Sequence, residues 1–255
     1  MTVAACAEIV RRGDPDRFLA AMAAPVEARA ALFPLYAYNV EIARAPWVSA
    51  EPMIGEMRLQ WWRDAVAEIG EGKPPRAHEV VAPLAEVVAE RNLPIWLLDG
   101  MAEARRRDLW PEDFADADAL MQHLGATAGH LMWLSALALG APAGLELAAR
   151  DAGLAQGLAA WLQAVPDLRG RGQRPLPSAE PAAVATLARD GLAALSRARA
   201  ARVGEAVPAF RAAWLAGPIL RQAAARPERV LEGGLGVSEF RRRASLAWAA
   251  ARGRW

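Results

Sequence analysis

Helical period and helical punctuation run through nearly every segment of this chain, and no segment alternates apolar and polar residues between hairpin turns. That pattern leaves little room for any sheet, so the sequence predicts an all-α fold. With 255 residues and 54% hydrophobic composition, the chain can bury one sizeable core, and a single domain over residues 1–255 is the expectation. Proline does most of the punctuating. Asp14 before Pro15 reads as an N-cap followed by proline at the first helical position, and Pro25 ends or restarts that helix.

The next helix is expected from Val26 to Arg44, with Pro34 kinking it or marking a junction between two helices. A further helix is expected from Pro52 to Ile69, carrying Glu56, Gln60, Asp64 and Glu68 on one face at spacing four, a solvated stripe in preference to a cation site. On the same helix Trp61 and Trp62 point about 100° apart, so one should enter the core while the other caps a cavity or a partner surface. Helices from His78 to Arg91 and from Ile95 to the Arg105–Arg107 run follow, then the loop PEDFADADA, whose aspartates read as capping residues. Two apolar helices come next, Leu120–Leu139 and Pro142–Ala164. The first holds Ala126, Ala128 and Gly129, small enough for another backbone or a ligand chain to approach closely.

The stretch from Gly153 to Pro177, GLAQGLAAWLQAVPDLRGRGQRPLP, reads as a helix that meets Pro166 and breaks into a loop carrying Arg169, Arg171 and Arg174. Helices from Ser178 to Arg202, Pro208 to Ala225 and Glu228 to Ala251 complete the chain, the last broken between Gly233 and Ser238. Arg241, Arg242 and Arg243 are consecutive, which suits a solvated surface better than one anion site.

The chemistry that this composition excludes is as informative as what it allows. Thirty basic residues against 29 acidic ones, a net charge of +1, give no electrostatic footprint for nucleic acid. Lone Cys6 permits neither a disulfide framework nor a cysteine metal site, which fits a reducing, cytoplasmic compartment. The N-terminal charges interrupt any signal-peptide core, and no apolar run approaches the roughly 20 residues of a membrane span. Lys73 is the only lysine; that skew, with abundant alanine, points to a GC-rich bacterial genome. His123 and His130 share a helix face without a third ligand for zinc. No phosphate-cradling glycine loop, nucleophile elbow or DxxxD pair is present.

From Leu35 to Arg44, LYAYNVEIAR resembles the first acidic-motif region of the squalene and phytoene synthase family. The resemblance continues in order through MRLQWWRDAV at Met57–Val66, ATAG at Ala126–Gly129, and GLAQGLAAWLQAVP to RPLP. It implies an isoprenoid-synthase-type helical bundle around a central apolar cavity, with two acidic motifs facing each other across the mouth. In active relatives those aspartates hold magnesium, which grips a prenyl diphosphate. At the matching positions this chain has Ala43, Arg44 and Trp47, then Ala164 and Leu168 with Asp167 as a lone acid; Arg17 stands in place of an early serine.

The pattern resembles a divergent branch of the family that includes the assembly factor for respiratory complex I. It implies a non-catalytic helper near the inner membrane, with a complex I subunit or assembly intermediate as partner, a lipid or isoprenoid as ligand, peripheral membrane contact and no cofactor. The alternative is an active prenyl transferase using magnesium with Glu41, Asp167 and the three loop arginines; a third reading is a helical scaffold with a filled core. The candidate cavity-mouth or ligand-binding residues are Tyr36, Asn39, Glu41, Ala43, Arg44, Trp61, Gln163, Asp167, Arg169, Arg171 and Arg174. Gln163, Ala164 and Asp167 are expected to face Asn39, Ala43 and Arg44.

Overall fold

A computed structural model describes residues 2–49, 51–110 and 112–255. Among them every regular element is helical. The helices are α1 (Val3–Gly13), α2 (Pro15–Met22), α3 (Val26–Arg44), α4 (Pro52–Gly70), α5 (Val81–Arg91), α6 (Ile95–Arg105), α7 (Ala117–Leu124) and α8 (His130–Ala138). After them come α9 (Glu146–Gly170), α10 (Pro181–Ala200), α11 (Val207–Phe210), α12 (Ala216–Ala225), α13 (Glu228–Glu232) and α14 (Glu239–Ala251).

The local chemistry of the helix ends accounts for several boundaries. The Asp14 carboxylate accepts from the Arg17 N–H at 2.9 Å and starts α2, with Pro15 at its first position. Asp116 does the same for α7, accepting from Ala119 N–H at 2.8 Å. At the end of α5, Asn92 takes the left-handed conformation, φ 49°, that stops a helix.

Two prolines lie inside helices, and only Pro166 departs from the break its sequence context predicts. Pro34 neither divides α3 nor ends it, and Pro166 lies inside α9, which continues to Gly170. A mid-helix proline removes one backbone bond and costs roughly 3 kcal/mol. Burial outweighs that cost in α3, where every residue from Ala31 to Ile42 is buried and each large apolar side chain contributes roughly 1.5–3 kcal/mol. In α9 the turn falls later, at Gly172, where φ is +81°.

Helix α3 runs through the middle of a continuous hydrophobic core that also draws on α1, α4–α6 and α8–α12. Tyr38 is fully buried, and its hydroxyl donates to Leu98 O at 2.8 Å, which pins α3 to α6. Of the two adjacent tryptophans, Trp62 is buried and Trp61 lies half-exposed beside it. The acidic face of α4 is tied up in pairs: Glu56 with Arg106, Gln60 with Asp64 at 2.7 Å, and Glu68 with Arg76 at 2.7 Å.

Between α7 and α8 the segment Gly125–Gly129 forms one π-helical turn. Thr127 Oγ1 donates back to His123 O at 2.8 Å within it, and α9 passes so close that Gly153 and Gly157 have no room for a methyl group. A Cβ on Gly153 would lie 2.8 Å from Gly129 Cα and 2.7 Å from Met132 Cβ; one on Gly157 would lie 2.5 Å from Ala128 Cβ. The small residues of this segment therefore admit a neighbouring backbone. A π turn of this kind recurs at functional sites, and Thr127 and Ala128 line the cavity described next.

Candidate functional site

Residues four apart on α3 share a face, so Asn39 and Ala43 point the same way, and Trp47 on the following short turn extends their line. On α9 the same spacing aligns Gly157, Ala160, Trp161, Ala164 and Leu168. These two rows line one cavity of about 280 Å³. Of Ala43, Arg44 and Trp47, where the resemblance places aspartates of the first motif, Ala43 and Trp47 thus share a cavity with Ala164 and Leu168, where it places those of the second, and Arg44 does not line it.

The cavity is lined on two sides by different chemistry. Phe114, Leu124, Ala128, Trp161 and Leu168 give it apolar surface. Its polar side is built from four arginines, three of them held by acids. Arg17, 7% exposed, pairs with Asp14 and donates to Gln156 Oε1 at 2.8 Å. Arg105 pairs with buried Asp108 at 3.0 Å. Arg107 lies over the Phe114 ring with its guanidinium carbon 3.5 Å from the centroid, and Arg174 pairs with Asp113 at 2.9 Å. Trp161 Nε1 donates to Pro175 O at 2.7 Å, fastening the loop after α9 to the cavity wall.

Behind this lining lies His123, whose Nε2 sits 3.5 Å from Asp108 Oδ1. Burial drives its pKa down to about 4, against the opposing pull of Asp108. The ring is therefore neutral at pH 7. Tyr36 is buried below Asn39, with the Arg17 guanidinium 5.3 Å from its ring centroid, and desolvation pushes its hydroxyl up to about 12.

The donor set does not fit a magnesium cage. Asp14 and Asp108 are the carboxylates among the lining residues, and both are engaged, Asp14 by the Arg17 backbone and guanidinium and Asp108 by Arg105. Among the described residues no three His, Cys, Asp or Glu side chains gather into a group that could hold a metal ion. Several divalent ions bridging a diphosphate require many free oxygens, and here arginine occupies them.

The expected site residues divide between the cavity and other surfaces. Asn39, Ala43 and Arg174 line the cavity. Arg44 lines an adjoining recess of about 800 Å³ that shares Asp14, Asn39, Ala43 and Trp47 with it. Arg171 lies over the Trp47 ring at 5.1 Å, at the rim.

The remaining candidates lie elsewhere. Glu41, two residues from both Asn39 and Ala43, is rotated about 200° away; it is buried, and meets Arg44 of its own helix at 3.0 Å and Arg58 of α4 at 3.6 Å. Gln163 and Asp167 each precede a lining residue by one position and are exposed, Gln163 reaching Leu235 O at 3.5 Å. Arg169 is exposed as well. Trp61 opens on a separate recess with Met57, Arg58 and His78. Of the expected trio on α9, Ala164 alone faces Asn39 and Ala43.

Arg17, Asp108 and Gln156 also line the cavity, and none is among the ligand-binding candidates the sequence suggests. Arg17 carried a signal, since it departs from the family's serine; Asp108 and Gln156 carried none, because their importance depends on how the short 3-10 turn Arg106–Leu109 and the face of α9 come to share one cavity.

The family model described as squalene/phytoene synthase matches residues 10–246. The chain is 31% identical over 163 residues to the human NADH dehydrogenase (ubiquinone) complex I, assembly factor 6, which covers 63% of this chain and 48% of that protein. It is 32% identical over 179 residues to the Drosophila melanogaster homolog, covering 67% and 52%. The chain therefore spans about half the length of the curated relatives it matches. Among solved structures it is similar to a dehydrosqualene synthase in complex with ligand, at TM-score 0.71 and 15% identity, covering 98% of this chain and 95% of the other. It is also similar to the squalene synthase HpnC from Alicyclobacillus acidocaldarius, at TM-score 0.62 and 17% identity, covering 98% and 94%. These establish the isoprenoid-synthase-type helical fold. The expected bacterial source is contradicted: the relatives carrying the assembly-factor name come from cattle, human, mouse, rat and fly. Arginine skew reports base composition, and it does not assign a lineage.

Proposed function

The chain belongs to the squalene/phytoene synthase family, and from that premise we propose that it is a non-catalytic member acting as an assembly factor for respiratory complex I. One observation carries this reading. The positions that would present magnesium-binding aspartates to a common cavity are Ala43, Trp47, Ala164 and Leu168, and the two carboxylates that remain there are neutralised by arginine. Without divalent cations a departing diphosphate has no counter-charge of the strength this chemistry requires. The likeness to complex I assembly factor 6 supports the same reading from a different direction.

In this reading residues 1–255 act as one domain without a cofactor, and the partner is a complex I subunit or assembly intermediate. The protein works at the inner membrane through peripheral contact; among the described residues no helix is long and apolar enough to cross a membrane. The cavity, about 280 Å³, lies just below the roughly 300–1,000 Å³ of pockets that enclose drug-sized ligands. It suits a small ligand or the end of a lipid or isoprenoid chain.

Deleting the gene and measuring NADH-dependent quinone reduction in membranes tests the proposal. Activity should fall and return when the intact gene is restored. Unaltered activity in the deletion strain overturns the assembly role.

A further inference from the structure

Helix α14 is attached to the rest of the protein by few contacts. Leu246 is the one buried residue in it, packed with Ala20 and Trp214, and Arg242 forms an ion pair with Asp16 of α2. The opposite face is bare. Phe240 is 82% exposed and Trp248 62%, a costly way to leave two aromatic rings in water.

The arrangement of residues on that face is regular. At about 100° per residue, Phe240, Ala244, Ala247, Trp248 and Ala251 form one apolar stripe about 100° wide. Arg243 borders the stripe on one edge, and Arg241 and Arg252 border it on the other. The Arg252 guanidinium lies over the Trp248 ring, 4.0 Å from its centroid. The helix's one carboxylate, Glu239, is held by Arg242 at 3.3 Å and Arg243 at 2.7 Å. From residue 239 to the end there are five arginines and one glutamate, whereas the whole chain carries a net charge of only +1. A solvated surface accounts for the arginines and leaves the aromatic rings unexplained.

We propose that α14 is an interfacial helix that docks this protein on a membrane containing anionic lipids. Phe240 and Trp248 enter the boundary between headgroups and acyl chains, while Arg241, Arg243 and Arg252 meet lipid phosphates on either side. Charge complementarity selects this occupant. A second copy of the chain would set one arginine-rich face against another, which like-charge repulsion opposes. Asp16, which holds α14, is the neighbour of Arg17 in the cavity wall, so α2 links the docking helix to the cavity. The inference names the surface for the peripheral contact proposed above, yet vesicle binding requires neither complex I nor the cavity, so the two can fail separately.

The test is co-sedimentation of the purified chain with vesicles of phosphatidylcholine alone and of phosphatidylcholine mixed with phosphatidylglycerol. Binding is expected on the mixed vesicles and should weaken with added salt. The double variant F240S/W248S should bind about tenfold or more weakly, with an unchanged helical circular dichroism spectrum because both side chains are exposed. Independently, R241Q/R243Q/R252Q should lose roughly a hundredfold of its affinity for the anionic vesicles. Wild-type protein that stays in solution with both vesicles overturns the proposal, as do aromatic variants that bind like the wild type. A wild-type dimer that ignores vesicles and becomes monomeric in F240S/W248S also overturns it, assigning the face to a second copy.

Discussion

At Arg17 and Asp108 the cavity acquires its character, because each belongs to an acid–arginine pair of which at least one member is buried. Such pairs stabilise little by themselves, but breaking one leaves a buried charge uncompensated. His123, packed beside Asp108, supplies a measurable consequence. Its pKa falls from 6.5 to about 4 on folding because burial disfavours the charged ring. Between those values the unfolded chain binds the extra proton, so this contribution to stability is complete above pH 6.5 and is lost as pH falls toward 4. From pH 7 to pH 5 the loss is about 2 kcal/mol. Urea unfolding at both pH values should show it, and His123→Gln should shrink the pH difference by about that amount; an unchanged difference would show that His123 does not titrate as its burial dictates.

Among the elements, α9 and the π-helical turn form a tight junction, and its glycines are required by contact. Gly153→Ala would normally favour a helix by about 1 kcal/mol. Here the added methyl meets backbone of the neighbouring turn, so the expected outcome is destabilisation of about 1–3 kcal/mol, read from the denaturation midpoint. A midpoint that rises would contradict the close packing. The small residues of ATAG made a close approach legible in the sequence, but not that Gly153 and Gly157 of α9 are what approaches. The helix breaks were legible in part. The helix over Val26–Arg44 was legible despite Pro34; Pro166 has the local signature of an interruption, yet α9 runs through it to Gly170, since tertiary burial outweighs local preference in a way no short window of residues reveals. Face assignment failed for a related reason: Gln163 and Asp167 differ from the lining residues Ala164 and Leu168 by one position, or about 100° of rotation, and only the packed helix fixes that angle.

For the whole molecule, the ordered set of weak motifs conveyed the fold more fully than any one of them. It placed the two emptied motifs on facing helices, and the structure brings Ala43, Trp47, Ala164 and Leu168 to one cavity. What the sequence withheld was the arginine network that fills the polar side, because Arg17, Arg105 and Arg107 come from separate elements and converge only through the fold. The account depends on that cavity being unable to support ionisation of a prenyl diphosphate. The direct measurement is diphosphate release by the purified chain incubated with farnesyl diphosphate and magnesium. The account predicts no release above a protein-free control. Release at an enzymatic rate, on the order of 1 per second or faster, would contradict it.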